Sequence, residues 1–325
     1  MSSVRLDDVP MRERFDFWWE TVARSVVAVD ASSDRAADFQ AEMKVVDLGL
    51  LQVSHVRCDS FEARRTPRRI RQSDPGLYQL SLTLRGRSGM HQERRECALG
   101  RGDLMVYDAS RTFHAWTVAD GSTSEGLIAQ FPHTALPLPT SAVDRLLAVR
   151  LSGDEGIGAL LAGLLCRLMA QPDEYTPADA VRLAAIIIDL VAALLAHELD
   201  VAPAAPLHDP RRVLLLRIQS FIEQNLARPD LSPATLAAAH HLSVRSLQAL
   251  FQEQGTGVAD WIRRRRLERC RRDLADPAQD SVAVGVVGAR WGFVSASHFT
   301  RAFRAAYGVP PAAYRRHRQE LTDER

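Results

Sequence analysis

The sequence predicts an α+β chain: a small β-barrel with a layer of helices, followed by an all-α domain made of two copies of one helix-turn-helix unit. Three observations predict it. Apolar residues alternate in short runs between positions 41 and 130, they return to helical spacing from 141 to 200, and the same apolar pattern occurs twice in the last hundred or so residues. A length of 325 residues suits two domains at about 150 residues each. With 46% apolar and 25% charged residues, the chain can bury a sizeable core, which excludes wholesale disorder.

Met11 to Val27 is amphipathic and carries Phe15, Trp18 and Trp19; the two indoles either pack the first helix onto the barrel or line a pocket. Strand signals follow at Leu48–Val56, Tyr78–Leu84, Gly102–Tyr107 and Glu125–Phe131, with Leu80, Leu82 and Leu84 alternating with Ser and Thr. They predict a meander of antiparallel strands closing into a barrel with room for a small ligand. Leu160, Leu161, Leu164, Leu165 and Leu168 form one helical stripe, and Leu183, Ile186, Ile187, Leu190, Leu194 and Leu195 form another. These stripes either cover the barrel or supply a dimer seam, and residues 1–200 are expected to form one domain. The proline-rich stretch Val201–Pro210 is expected to be a linker to a domain spanning 211–325.

Charge divides the chain in the same way. The whole is nearly neutral, with 41 basic and 40 acidic residues. From Leu207 onward there are 19 basic and 12 acidic residues, leaving 41 − 19 = 22 and 40 − 12 = 28 before it. A basic tail on an acidic head suits a polyanion-binding domain. Cys58, Cys97, Cys166 and Cys270 lie far apart without a C-x-x-C, which argues against a disulfide scaffold or zinc finger. Met1–Pro10 lacks an apolar signal core, and the greasy stretch Leu183–Ala196 is broken by Asp189 and too short for a bilayer. A cytoplasmic protein without a membrane partner is expected.

Leu236-Ala237 and His241-Leu242 recur 51 residues later as Val287-Gly288 and Gly292-Phe293, whereas Leu247 and Phe251 recur 52 later as Phe299 and Phe303. The change in offset falls in the tight turn. Ser232 before Pro233 caps the first copy, and Ser281 is expected to cap the second. Burying Leu247 with Phe251, and Phe299 with Phe303, fixes the opposite helix faces. These carry Arg245, Gln248, Ala249 and Gln252 in one copy and Ser297, Thr300, Arg301 and Arg304, with His298 beside them, in the other. Arg and Gln are side chains that read guanine and adenine by paired hydrogen bonds in the major groove. The helix between the copies, Val258 to Ala275, is roughly 27 Å long at 1.5 Å per residue, which suits two reading helices about one DNA turn apart. It holds Arg263 to Arg266, Arg269, Arg271 and Arg272; Arg266 shares a ladder with Ile262, Cys270 and Leu274 and is expected to reach inward to an acidic partner while its neighbours face phosphate or water.

Leu242–Phe251, Arg266–Cys270, Trp291–Arg304 and Gly308–Arg315 carry a resemblance: Leu231 to Arg318 resembles the DNA-binding domain of the AraC/XylS transcription regulators. The resemblance implies double-stranded DNA as partner, contact with RNA polymerase, and base-contacting positions at Arg245, Gln248 and Ala249, and at Ala296, Ser297, His298, Thr300 and Arg301. Ala249 and Ala296 would offer only apolar contact to a thymine methyl, and His241 stands where the family usually has glycine. Gly102–His114 carries a resemblance of residues 1–200 to the cupin-like sensor domain of regulators akin to the amine-catabolism activators, which implies a small-molecule effector or dimerisation. Together these point to an effector-controlled, sequence-specific DNA-binding regulator with no cofactor or metal. A metal-cupin enzyme is the rival: it needs histidines converging inside the barrel, whereas His55, His91 and His114 fall on separate strands or loops without an H-x-H. His114 is expected to be a hydrogen-bonded histidine. A third reading is a ligand-independent regulator whose barrel only dimerises.

Overall fold

A computed structural model describes residues 2–7, 9–121, 123–199, 210–252, 255–276 and 279–316. The chain divides into two compact units, Met1–Pro210 and Arg211–Arg325. The expected linker lies, up to its last residue, outside the described residues.

The first unit runs β1 (Ser2–Arg5), α1 (Arg14–Ser25), β2 (Asp30–Ser32), β3 (Ala41–Asp47), β4 (Gln52–Cys58), β5 (Phe61–Arg65), α2 (Pro67–Gln72), β6 (Leu77–Arg85), β7 (Arg87–Gln92), β8 (Arg95–Leu99), β9 (Asp103–Asp108), β10 (Phe113–Val118), β11 (Ser124–Pro132), α3 (Thr140–Asp144), β12 (Leu151–Ser152), α4 (Gly156–Ala170) and α5 (Pro177–Glu198). Two antiparallel sheets form, ordered β1-β3-β4-β11-β6-β9-β12 and β2-β5-β10-β7-β8. A meander would keep sequential strands adjacent. Here β8, β9, β10 and β11 instead pass back and forth between the sheets, so the barrel is a cupin-like double-sheet roll. The strand expected from Leu48 begins at Gln52, because the Leu48 amide donates to the Leu51 carbonyl at 2.8 Å and closes a turn through Gly49 at φ 86°.

Register separates the faces. Leu80 pairs with Val106 and Ala129, and Leu82 with Leu104 and Leu127; all six are buried. The other face of β6 carries Gln79, Ser81 and Thr83, and Thr83 reaches Ser88 of the opposite sheet at 2.8 Å, so this face looks into the barrel. The alternating leucines therefore point outward, where α4 packs against β4, β12 and α5. From these helices Leu161, Leu165, Leu168, Ile187, Leu194 and Leu195 are buried, while Leu160 and Ile186 are 64% and 49% exposed. The greasy stretch is part of a longer helix than expected: α5 has 22 residues and is long and apolar enough for a bilayer, but buries Ile187, Ile188, Val191 and Leu195 in this unit. Trp18 is buried in the core, and Trp19 stands edge-on to Phe61, ring centroids 5.0 Å apart.

The second unit holds α6 (Pro210–Asn225), α7 (Pro233–Ala239), α8 (Val244–Gln252), α9 (Val258–Ala275), α10 (Val284–Arg290) and α11 (Ala296–Tyr307). The repeat is carried by the backbone itself. Leu242 N donates to Ala237 O at 2.8 Å and Phe293 N to Gly288 O at 3.0 Å, 51 residues apart. Past the turn the offset becomes 52: the Ser243 hydroxyl accepts from the Ser246 amide at 3.0 Å, and that of Ser295 from the His298 amide at 3.3 Å. Both turns pass through a left-handed residue, His241 at φ 54° and Gly292 at φ 78°. Ser232 caps α7 in a capping box with Thr235. Ser281 does not cap α10; the helix starts two residues later, with Ala283 at its N-cap.

α9 is the spine of this unit. Its first half buries Val258, Trp261 and Ile262 with Leu236, Leu247 and Phe251 of the first copy and Ile218 and Ile222 of α6. Its second half buries Leu267, Cys270 and Leu274 with Val287, Phe299 and Phe303 of the second copy. A Cβ on Gly292 would lie 2.7 Å from the Arg266 guanidinium and 2.9 Å from the Leu226 carbonyl oxygen, besides the strained φ. Gly292→Ala is therefore expected to cost about 2 kcal/mol or more in urea unfolding, whereas His241→Gly, which relieves a left-handed L-residue, is expected to be neutral or to stabilise by up to about 1 kcal/mol.

Candidate nucleic-acid interface

The buried pairs aim the rest of each second helix. Leu247 and Phe251 are fully buried on α8, leaving Arg245, Gln248, Ala249 and Gln252 exposed together. Phe299 and Phe303 are buried on α11, leaving Ala296, Ser297, His298, Arg301 and Arg304 exposed, with Thr300 half-buried. Every expected reading residue thus lies on a solvent-facing surface of its helix. Three are partly engaged: the Thr300 hydroxyl donates to the Ala296 carbonyl at 2.9 Å, the Ser297 hydroxyl lies 3.4 Å from that of Ser295, and the His298 ring stands 5.9 Å from that of Phe293. Arg245, Arg301 and Arg304 form no side-chain hydrogen bond or ion pair among the described residues, so their guanidinium groups are available to a polyanion.

The arginines of α9 behave differently from the sequence expectation. Arg266 does reach inward, yet its partners are backbone carbonyls: Nε donates to Leu226 O at 3.0 Å and a terminal nitrogen to Arg228 O at 2.5 Å. These carbonyls lie just past the end of α6, where no further helical turn supplies donors. The acidic partner belongs to its neighbours. Glu223 of α6 holds Arg265 and, at 3.2 Å, Arg269, while Arg265 also meets Glu268. Arg271 is buried with its guanidinium 5.4 Å from the Tyr307 ring centroid. Of the run, Arg263 and Arg264 remain exposed, the first paired with Asp260 at 2.5 Å and the second over Trp261 at 4.8 Å. An arginine-rich helix offers the same composition whether it binds phosphate or braces the fold, and here most of it braces the fold.

Burial alone would push the Glu223 carboxyl up; Arg265 and Arg269 more than offset this and hold it below the usual range. A depressed folded pKa stabilises the fold above the unfolded value, about 4.3, and that contribution is lost as pH falls through the folded pKa. Glu223→Gln is expected to cost about 3 kcal/mol at pH 7. The gap between variant and parent, followed by thermal unfolding, should close below about pH 4. On the exposed helices, Arg245→Ala and Arg301→Ala should each weaken specific DNA binding by about 1 to 3 kcal/mol while leaving unfolding unchanged, as gel-shift titration against specific and random duplexes would measure.

The histidines diverge. His55 is hydrogen-bonded to Glu125 at 2.7 Å on the outward face of the larger sheet, and His114 to Glu62 at 3.2 Å. His91 lies opposite His114 in register, also away from the barrel interior. Among the described residues no group of three or more His, Cys, Asp or Glu side chains could hold a metal.

Comparison with known proteins agrees with this architecture. Residues 18–196 match an AraC-binding-like domain and residues 236–317 a helix-turn-helix domain. The chain is 30% identical over 303 residues to the transcriptional activator NphR of Rhodococcus sp, covering 92% of this chain and 88% of that protein. It is 26% identical over 234 residues to an uncharacterized protein in the nit 5' region of Bacillus sp. (strain OxB-1), covering 71% and 88%. The crystal structure of the AraC-like transcriptional activator CuxR shares the fold, with a TM-score of 0.54 and 23% identity over 82% of this chain and 93% of that one. An N-terminal ligand-binding barrel followed by a double helix-turn-helix unit places this chain in the AraC/XylS family of DNA-binding transcriptional regulators.

Proposed function

We propose that this protein is a one-component transcriptional activator, in which a small molecule held by the barrel controls how α8 and α11 engage operator DNA. The observation that carries the reading is the pair of second helices: each buries the same two positions, exposes a polar face, and packs against one end of the same 18-residue spine. Arg245, Gln248 and Gln252 would read one major-groove segment, with Ala249 against a thymine methyl. Ser297, His298, Thr300, Arg301 and Arg304 would read or position the next, with Ala296 as its apolar contact. Activation, as in the name of the Rhodococcus relative, implies that the DNA-bound protein meets RNA polymerase in the cytoplasm.

Leu160 and Ile186 are large apolar residues left in solvent on α4 and α5, and a second copy of the chain would cover them as a homodimer seam. The outward direction of His55, His91 and His114 counts against a metal-cupin enzyme and favours the regulator reading. An effector can shift the DNA-binding population only through its different affinity for the two states. Footprinting of the protein's own upstream region with and without a metabolite extract tests this. A protected site whose occupancy changes with extract is the expected result. Protection without sequence preference under both conditions would refute it.

A further inference from the structure

The barrel has an unusual distribution of solvent access. Its outward face is sealed: Val53, Leu80, Leu82, Leu127 and Ala129 are at most 1% exposed. The side between the sheets is mixed: Met43, Met90, Leu99, Met105 and Tyr107 are buried there, while a subset of their neighbours is not. Val45, Val56 and Ile128 of the larger sheet and Phe61 and Ala115 of the smaller one pack against the same inter-sheet cluster yet keep accessible surface. Inter-sheet residues of both sheets that stay open to solvent mark the side from which a small molecule could enter between the sheets.

Its chemistry is readable. The wall is aliphatic and aromatic, with Trp19, Phe15 and Phe61 in edge-to-face contact at one side. Ser81 stands between Ile128 and Met105 in register, half-buried, and its hydroxyl has no partner among the described residues. Next along the same face, the fully buried Gln79 donates its amide to Gln130 at 3.0 Å while its own amide oxygen is unpartnered. The charges near this core are already satisfied. Arg65 is bound to the carbonyls of Ala109, Ala28 and Ser73. Asp59 accepts from the Gln40 amide, Asp103 from that of Gly100, and Asp108 is paired with His133 and Arg111.

We propose that the barrel takes an uncharged, mainly apolar molecule of aromatic type with one hydrogen-bonding group, which docks on Ser81 and the Gln79 amide oxygen. The inference rests on the effector reading above. An ionised ligand would leave water for a wall with no free opposite charge, and a sugar would strip many hydroxyls against three polar groups unpartnered among the described residues, the Ser81 hydroxyl, the Gln79 amide oxygen and the Trp19 indole N–H.

Titration of the full-length protein with benzyl alcohol and benzamide, alongside benzoate and benzylammonium, tests the proposal by calorimetry, tryptophan emission and melting temperature. The neutral pair should bind and raise the melting temperature, and the two ions should bind at least about 100-fold more weakly. Ile128→Trp should abolish binding by filling the space. Ser81→Leu, at an accessible position, should do the same with less risk to folding, and a circular dichroism spectrum and cooperative melting transition matching the parent would show that either variant is folded. Tighter binding of benzoate or benzylammonium, or neutral ligands that bind both variants undiminished, would overturn the proposal. If no probe binds while metabolite extract still alters the footprint, the ligand class is wrong and effector control stands. If neither responds, both fail.

Discussion

The DNA-binding unit depends on how α6 is clamped to the spine helix. Glu223 near the end of α6 holds Arg265 and Arg269, and Arg266 closes the carbonyls that follow α6. The same guanidinium lies against Gly292, the turn of the second copy. One side chain thus touches the end of the entry helix, the spine and the second turn, which explains why the glycine is needed there. A buried carboxylate between two guanidiniums is costly to break, because removal of either member leaves charge without a partner in a poorly solvated place. The placement of α6 and of the second turn on the spine is therefore held by polar contacts as well as by the two apolar cores.

The sensor unit solves a different problem. Its larger sheet packs outside against α4, itself packed on α5; Leu80 and Leu82 of β6 face outward, while Gln79, Ser81 and Thr83 face the other sheet. Both sides of the larger sheet therefore contribute core: Leu80, Leu82 and Leu127 outside, and Met43, Cys58, Met105 and Tyr107 between the sheets. A ligand bound between the sheets adds its own contacts to one state of the protein.

Much of this was readable in the amino-acid order. The duplication was legible because Leu247 and Phe251 at four-residue spacing recur as Phe299 and Phe303, and the one-residue change of offset located the turn at His241 and Gly292, both left-handed. The exposed faces of α8 and α11 follow from those buried pairs by helical geometry alone. Three features were not legible. The alternation of Leu80, Leu82 and Leu84 marks two faces but does not say which one lines the barrel, since a covered sheet buries both. The ladder through Ile262, Arg266 and Cys270 gives the direction of Arg266, but not that backbone carbonyls rather than an acid meet it; the carboxylate that serves its neighbour sits 42 residues earlier, in Glu223. Ser281 was a reasonable cap by residue type, yet α10 starts at Val284 with Ala283 at its N-cap, a boundary that residue type alone does not fix.

The central claim is that α8 and α11 enter two successive major grooves from one side of the duplex. Guanine N7 protection on an operator selected with the purified full-length protein measures this directly. The account predicts two clusters of protected guanines about one helical turn, roughly 10 base pairs, apart on the same face. Loss of Arg245 should release one cluster and loss of Arg301 the other. A single cluster, or two on opposite faces of the helix, would contradict it.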